Sequence, residues 1–255
     1  MSFFTHIFSL IFSLIFSLIF SLIIGTFLST YAYAHKLTTK PKSQKTCLLP
    51  GYKSQYEAYY NGSDLGISTK VAKKKPNGNY EITYKISVHK FIFSNIINRT
   101  SEGKIDKSGE VYPTTFKVID GNTKNPKVFN IKKDQLDPLS YITQLRINIL
   151  QGKKVTYITE ETLLGERKAT LKSSLKIYKE KINGKYTEVI KVAYTDNKDN
   201  NGILWLDPKK QYLPIKTIIN TKKGTKRSGT YTKLQEVLIN YAPNISKYGC
   251  LYYSK

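Results

Sequence analysis

The 255-residue sequence is poor in the residue types that build most catalytic and metal sites. It contains three histidines, two cysteines, one methionine and one tryptophan. After residue 34 the only histidines are His35 and His89, which are far apart in the chain. With so few imidazole and thiol ligands, no metal site is predicted. The sequence also lacks the glycine-rich loops that bind phosphate groups, and no cofactor is predicted.

Charged side chains are missing from the first 34 residues, which contain no Asp, Glu, Lys or Arg. Four Ile-Phe-Ser-Leu repeats fill Ile7–Leu22, and Ala32-Tyr33-Ala34 then has the small-x-small pattern of a signal-peptidase site. We therefore predict a signal peptide over residues 1–34, cleavage between Ala34 and His35, and a periplasmic mature protein. The alternative is an inner-membrane anchor over residues 7–28, because this apolar stretch is long enough to span a bilayer.

The two cysteines, Cys47 and Cys250, lie near the two ends of the sequence that remains after cleavage. In an oxidising compartment an even number of cysteines predicts pairing, here as one disulfide bond. The alternative is two separate buried thiols. Residues 35–46 are rich in Lys, Thr, Pro and Ser and are predicted to be a flexible linker. The remaining residues, 47–255, are predicted to form a single β-rich domain.

Apolar and polar residues alternate along much of this domain, which is typical of half-buried β-strands. The clearest cases are residues 52–60, which end at an Asn-Gly turn, and residues 80–88. Turn residues (Gly, Asn, Asp and Pro) separate most of the runs. The further strand candidates are 65–73, 91–97, 110–118, 127–131, 153–159, 169–179, 185–195, 202–206, 212–220 and 227–240.

One segment has helical periodicity instead. Asp137 is suited to cap a helix and Pro138 to its first position, and Leu139, Ile142, Leu145 and Ile149 then share one face. We predict an all-β fold in which an antiparallel sheet is strongly curled into an open or broken barrel. A helix at about 138–150 is predicted to bury its apolar face against that sheet.

Three blocks of sequence carry a resemblance to a known family. They are Gly51–Gly62 with Leu65-Gly66, Asp137–Ser140 with Gln144–Arg146, and Trp205–Pro208 with Tyr212–Ile215. In this order they resemble the bacterial envelope family known as domain of unknown function 3108. The resemblance implies an exported, mainly β protein. It supplies no established activity and no catalytic residue.

The net charge of +23 comes from 41 Lys and Arg against 18 Asp and Glu, and only four of the basic residues are arginines. Lysine is a hydrated point charge, whereas arginine is the residue of planar phosphate recognition. The charge either forms a solvated surface or attracts an anionic envelope partner, such as anionic lipid or lipopolysaccharide. Nucleic acid is not an expected partner of an exported protein. Contact with the membrane is expected only through an uncleaved leader.

The family-like blocks contain the candidate site residues Gln144, Arg146 and Trp205, for which we predict either a ligand-binding or a structural polar role. For Arg146 the structural alternative is an ion pair that ties the helix to the sheet, for example with Asp137 or Glu57. No catalytic residues are predicted, because the Ser-x-x-Lys patterns are those expected by chance in a lysine-rich chain.

These features favour a non-enzymatic protein of the cell envelope that binds an amphiphilic or anionic ligand, or a protein segment, on a curved sheet. One alternative is an envelope hydrolase that acts on glycan or lipid. Clustered carboxylates in a cleft, or a serine beside His89, would support that alternative. A second alternative is a structural or scaffolding protein, which a sheet interior filled with side chains would support.

Overall fold

A computed structural model describes residues 45–88, 96–120, 125–133, 135–153, 158–162, 165–173, 175–223 and 230–254. The predicted signal peptide, its cleavage site and most of the predicted linker lie outside the described residues. His89 and parts of the strand candidates 91–97, 153–159, 169–179 and 227–240 also lie outside them.

The described residues are mostly β-strand. The strands are β1 (Cys47–Pro50), β2 (Tyr52–Tyr60), β3 (Ser63–Lys74), β4 (Tyr80–Val88), β5 (Ile96–Ile105), β6 (Val111–Asp120), β7 (Lys127–Asn130), β8 (Ile158–Thr162), β9 (Gly165–Lys172), β10 (Ile177–Ile182), β11 (Lys185–Asp196), β12 (Asn201–Asp207), β13 (Leu213–Lys223), β14 (Thr230–Pro243) and β15 (Cys250–Tyr253). The helices are α1 (Ser140–Leu150), the single-turn α2 (Ile245–Tyr248) and a 3-10 turn (Pro208–Lys210).

Thirteen of the strands form one antiparallel sheet in the order β7-β6-β5-β4-β3-β2-β14-β13-β12-β11-β9-β8, and β10 pairs with β11 beside β9. The sheet is curled and open, with β7 and β8 at its edges. The predicted all-β class, the curled antiparallel sheet and the one main helix are thereby confirmed.

The centre of the sheet joins two distant parts of the chain. The antiparallel pairing of β2 with β14 runs from Tyr60 opposite Leu234 to Tyr52 opposite Pro243. On one side of this pair, β2 to β7 follow one another as neighbours. On the other side, β11 to β14 do the same. The fold therefore consists of two meanders that meet along a single seam.

The first and last strands in sequence, β1 and β15, form a separate two-stranded sheet. A disulfide bond joins Cys47 to Cys250 across this pair, with the two Cα atoms 5.9 Å apart and a sequence separation of 203. This is the pairing expected from the sequence. It fastens the first described strand to the last one.

Helix α1 packs against the concave face of the sheet and separates two apolar clusters there. Its Ile147 belongs to a cluster built mainly on β2, β4 and β6, whereas Tyr141, Leu145 and Ile149 pack against β9, β11 and β12. The helix begins at Ser140 rather than at the predicted position 138. In the part of the chain that the structure describes, no helix is long and apolar enough to cross a membrane.

Some strands differ from their predicted limits for local reasons. The candidate 169–179 is two strands, because the Ser173 hydroxyl accepts a hydrogen bond from the amide of Leu175, which has a positive φ of 53° and bends the chain. Residues 98–105, which are most of β5, were not predicted to be a strand. The polar and small residues of this stretch, among them Ser101 and Gly103, give no apolar alternation. A Cβ atom at Gly103 would lie 2.2 Å from the carbonyl oxygen of Tyr112, so this close approach to β6 requires glycine.

Candidate ligand-binding cavity

A cavity of about 520 Å³ lies between the concave face of the sheet and the start of α1. Its volume is within the range of pockets that hold small organic ligands. Most of its wall is apolar. The apolar wall includes Ile82, Phe116, Leu139, Ile142, Leu204 and Leu213. These residues come from both apolar clusters and from α1, so the cavity lies where the two halves of the sheet meet.

Charged residues occupy one part of the cavity wall. Lys70 on β3 and Glu236 on β14 form an ion pair with 2.9 Å between Nζ and Oε2. The other carboxylate oxygen of Glu236 accepts a hydrogen bond of 2.6 Å from the Ser68 hydroxyl. The alternation of β3 places Ser68 and Lys70 on the same face. Both oxygens of the buried carboxylate are therefore satisfied within the protein.

The ion pair fixes the ionisation of both partners. Burial alone would raise the pKa of Glu236, but Lys70 and the Ser68 hydrogen bond outweigh it and hold the pKa below its ordinary value. Burial alone would lower the pKa of Lys70, but the Glu236 carboxylate raises it above its ordinary value. At neutral pH this pair is therefore charged on both sides and contributes no net charge to the cavity.

Aromatic rings surround Lys70. Its Nζ atom lies 4.6 Å from the ring centroid of Tyr56 and 5.3 Å from that of Tyr84, within the range of cation–π contacts. Burial raises the pKa of both phenols, so both rings are neutral in the physiological range. The two rings pack beside the ammonium group and also line the cavity.

Arg99 on β5 brings a second cation to the same wall. It is directly opposite Tyr84 in the β4–β5 ladder, and Tyr84 is directly opposite Lys70 in the β3–β4 ladder. The Arg99 Cζ atom lies 6.0 Å from the centroid of the Tyr84 ring. The Nε atom of Arg99 is buried and has no hydrogen-bond acceptor among the described residues. The described lining of the cavity thus contains two cations and one anion.

A buried carboxylate holds the start of α1 beside the cavity. Asp137 accepts hydrogen bonds from the amides of Leu139 and Ser140, at 2.8 and 3.0 Å, and from the Ser101 hydroxyl on β5 at 2.6 Å. Burial raises the pKa of Asp137, and these hydrogen bonds oppose the rise. Asp137 therefore positions the helix residues that line the cavity and contributes no lining atom itself.

The predicted site residue Gln144 has a tethering role. Its Oε1 atom accepts a hydrogen bond of 2.7 Å from the amide of Val111, and its Nε2 atom donates to the carbonyl of Gly109 at 3.1 Å. Nε2 also donates to Asn148 within α1 at 2.8 Å. Gln144 thereby replaces missing backbone partners at the start of β6 and connects α1 to that strand.

The predicted site residue Arg146 is fully buried and braces a turn. It donates from Nε to the carbonyl of Gln211 at 2.9 Å and from Nη2 to that of Lys210 at 3.4 Å, while its Cζ atom lies 4.9 Å from the ring centroid of Tyr52. Gln211 has a positive φ of 49°, a conformation that non-glycine residues rarely adopt. Arg146 therefore stabilises this strained turn from the helix.

Neither Asp137 nor Glu57 binds Arg146. Asp137 binds Ser101 and the start of α1, and the Glu57 carboxylate accepts a hydrogen bond of 2.9 Å from the Tyr59 hydroxyl. The expectation of an ion pair to Asp137 or Glu57 is therefore wrong. Arg146 donates instead to the backbone carbonyls of a turn, and no sequence pattern reveals such acceptors.

The third predicted site residue, Trp205 on β12, lies on the opposite face of the sheet. It packs in a small cluster with Val189, Ile215 and Val237, and Lys216 Nζ lies 5.0 Å from its ring centroid. Its neighbours Leu204 and Leu206 point to the concave side, as the alternation of a strand requires. Gln144 and Arg146 thus both lie on α1 but bind different neighbours, and Trp205 is separate from both.

The residues of the charged wall were missed at the level of sequence, although a signal exists for two of them. Glu236 stands in phase with Leu234 and Leu238, and Lys70 is in phase with Ser68 and Ala72. A charged residue on the inward phase of a strand indicates a buried pair or a site. Recognising it requires the phase of each strand, which neighbouring lysines and threonines obscure. Arg99 has no comparable signal.

The described residues contain no group of three or more His, Cys, Asp or Glu side chains that could hold a metal ion. Within the described lining of the cavity, Glu236 is the only carboxylate, and it is engaged by Lys70 and Ser68. His89, the predicted partner for a serine in a hydrolase, lies outside the described residues.

Comparison with known proteins finds only low structural similarity. No family model matches the sequence, and neither does any curated protein. Among solved structures, the crystal structure of MucB covers 80% of this chain at 10% identity with a TM-score of 0.34, and MucB in complex with MucA(peri) covers 76% at 10% identity with a TM-score of 0.30. The complex of Pseudomonas aeruginosa MucA/MucB covers 76% at 8% identity with a TM-score of 0.15.

The alignment spans 58% of the MucB chain in the first of these structures and 50% in the second, so this chain corresponds to little more than half of MucB. In the third, it spans 93% of the other chain. At these TM-scores the likeness does not establish a common fold.

Proposed function

We propose that this protein is an exported, non-enzymatic binding protein that holds one amphiphilic molecule in the cavity between the curled sheet and α1. The observation that carries the proposal is the cavity itself, with about 520 Å³ of space, a mostly apolar wall and a charged part. An apolar wall with a few convergent polar groups is the usual character of a ligand site. A scaffolding protein would be expected to fill this interior with side chains.

The proposal includes a periplasmic location and membership of the family that the three sequence blocks resemble. The Cys47–Cys250 disulfide supports the location, because disulfides persist in oxidising compartments and are rare in the cytosol. The periplasm also supplies the candidate ligands, which are amphiphiles derived from anionic lipid or lipopolysaccharide.

The expected affinity is moderate. Each methylene group that leaves water for the apolar wall contributes about 0.8 kcal/mol. The loss of translational and rotational freedom costs at least about 4 kcal/mol. A chain of about 15 buried methylene groups then binds with a dissociation constant in the micromolar range, on the order of −8 kcal/mol. The positive wall adds an attraction for anions that salt screens.

The test is a cavity-filling substitution. Thr217 lines the cavity from β13, directly opposite Leu204 and Glu236. Thr217→Trp places an indole ring in the space that the ligand would occupy. Ile203→Trp is the matched control, because Ile203 is on the neighbouring strand β12 and is 39% exposed on the other face.

Each protein is exported with its own leader, purified from the periplasm of a bacterial host and measured by native mass spectrometry. We expect a bound amphiphile on the wild type and on Ile203→Trp, and none on Thr217→Trp. Wild-type protein that is free of ligand and fails to bind added amphiphiles would refute the proposal and favour the scaffolding alternative.

A further inference from the structure

We propose that the ligand is a single-chain fatty carboxylate and that Arg99 binds its head group. This inference rests on the proposed function and goes further by naming the chemical class of the ligand and the residue that reads it. Three observations carry it: the charge balance of the cavity wall, the unsatisfied guanidinium nitrogen and the volume of the cavity.

The charged groups of the described cavity wall leave one positive charge unbalanced. Lys70 is neutralised by Glu236, whose two oxygens are occupied by Lys70 and Ser68. Arg99 is the other cation of the wall. Apart from Glu236, no carboxylate is present among the described residues that line the cavity. One carboxylate would balance the described wall, whereas a phosphate monoester would bring about 1.5 to 2 negative charges at neutral pH.

The geometry of Arg99 also suits a carboxylate. A guanidinium presents a planar set of donors that matches the two oxygens of a carboxylate. The Nε donor of Arg99 is buried without an acceptor among the described residues, a state that costs free energy unless a ligand supplies one. The Tyr84 ring lies between Arg99 and Lys70 and holds the guanidinium on the cavity wall.

The volume of the cavity selects one chain. A methylene group occupies roughly the volume of a water molecule in the liquid, about 30 Å³. The cavity of about 520 Å³ therefore has room for one chain of about 14 to 16 carbons with its carboxylate, and the second chain of a two-chain lipid would have to lie outside it. The chain would lie along the apolar wall formed by Phe116, Leu139 and Leu204.

The experiment compares three ligands of equal chain length. Delipidated mature protein is titrated at about pH 8, where a carboxylate is ionised, with tetradecanoate, tetradecan-1-ol and tetradecyl phosphate by isothermal calorimetry below their aggregation concentrations. We expect tetradecanoate to bind at least about tenfold more tightly than the alcohol and the phosphate. Arg99→Gln should abolish the advantage over the alcohol while leaving binding of the alcohol unchanged, which also shows that the cavity is intact.

The matched control is Lys104→Gln, because Lys104 is an exposed cation on the same strand and should leave every affinity unchanged. Equal binding of acid and alcohol by the wild type would overturn this inference and leave the proposed function standing. Tighter binding of the phosphate would overturn the assignment to a carboxylate. Failure of all three ligands to bind would refute the proposed function as well.

Discussion

Replacing Lys70 by methionine tests the central ion pair of the cavity wall. The substitution keeps the length and the apolar stem of the side chain but leaves the Glu236 carboxylate buried without its cation. At the observed separation of 2.9 Å and an effective dielectric constant of about 20, Coulomb's law gives an attraction of about 6 kcal/mol. The cost of desolvating both charges offsets part of this attraction. We therefore expect Lys70→Met alone, and Glu236→Gln alone, to reduce the free energy of unfolding by about 3 to 5 kcal/mol each.

The double variant Lys70→Met/Glu236→Gln should recover much of this loss, since neither buried charge is then left alone. A coupling energy of at least about 2 kcal/mol is expected from the double-mutant cycle. The measurement is denaturant unfolding of the oxidised protein at neutral pH, followed by tyrosine fluorescence and by circular dichroism. The surface pair Lys153–Glu110 serves as the control, because its atoms are 3.4 Å apart but both side chains are about half exposed. Exposed pairs of this kind couple by less than about 1 kcal/mol.

The same cycle has a signature in its pH dependence. The pKa of Glu236 is lower in the folded protein than in the unfolded chain, so its contribution to stability is present above its ordinary value and is lost as the pH falls through the folded value. Wild-type protein should therefore lose more stability on acidification below about pH 4.5 than Glu236→Gln does. A coupling energy no larger than that of Lys153–Glu110, with identical acid profiles, would refute the reasoning.

Three further predictions concern other parts of the chain. Free-thiol titration of the unfolded, non-reduced protein should give zero thiols, because Cys47 and Cys250 pair; two thiols per chain would contradict the bond, whose loss should cost up to about 5 kcal/mol of loop-closure free energy. Intact-mass measurement of the envelope fraction should show a chain that begins at His35; a full-length chain that resists carbonate extraction would establish the anchor instead. Arg146→Met should lower the free energy of unfolding, measured by urea unfolding, by about 2 to 4 kcal/mol, because it leaves the carbonyls of a strained turn without donors. A loss below about 1 kcal/mol would show that the turn does not depend on Arg146.

The sequence was informative wherever a strand buries one apolar face. Residues 52–60 and 80–88 alternate cleanly, and both are strands with the predicted phase. The helix was also visible, since its apolar periodicity contrasts with the alternation around it. The strand β5 was less visible, because its inward positions hold Arg99, Ser101 and Gly103 rather than apolar residues. Each of these residues has its own contact: Arg99 lines the cavity, Ser101 donates to Asp137, and Gly103 permits the close approach of β6.

The candidate site was much harder to predict than the fold. Lys70 and Glu236 are 166 residues apart, and their contact depends on the pairing of β2 with β14. A single sequence shows the phase within one strand but not which strands lie side by side. The blocks with family resemblance led instead to Gln144 and Arg146. Both side chains hold α1 against its neighbours by binding backbone carbonyls and amides. This role could not be predicted, because backbone partners are not visible in a pattern of side chains.

The seam between β2 and β14 also decides when the cavity comes into existence. Each meander can form from contacts close in sequence, but the seam needs closure of a loop of about 170 residues, so we expect it to be a slow, late step of folding. Until then the edge of β2 is unpaired and open to association with other chains. Because Ser68, Lys70 and Glu236 meet only across this seam, a half-folded chain has no charged wall. The charged wall of the cavity therefore forms together with the last large contact of the fold, and the same contact covers the exposed edge of β2.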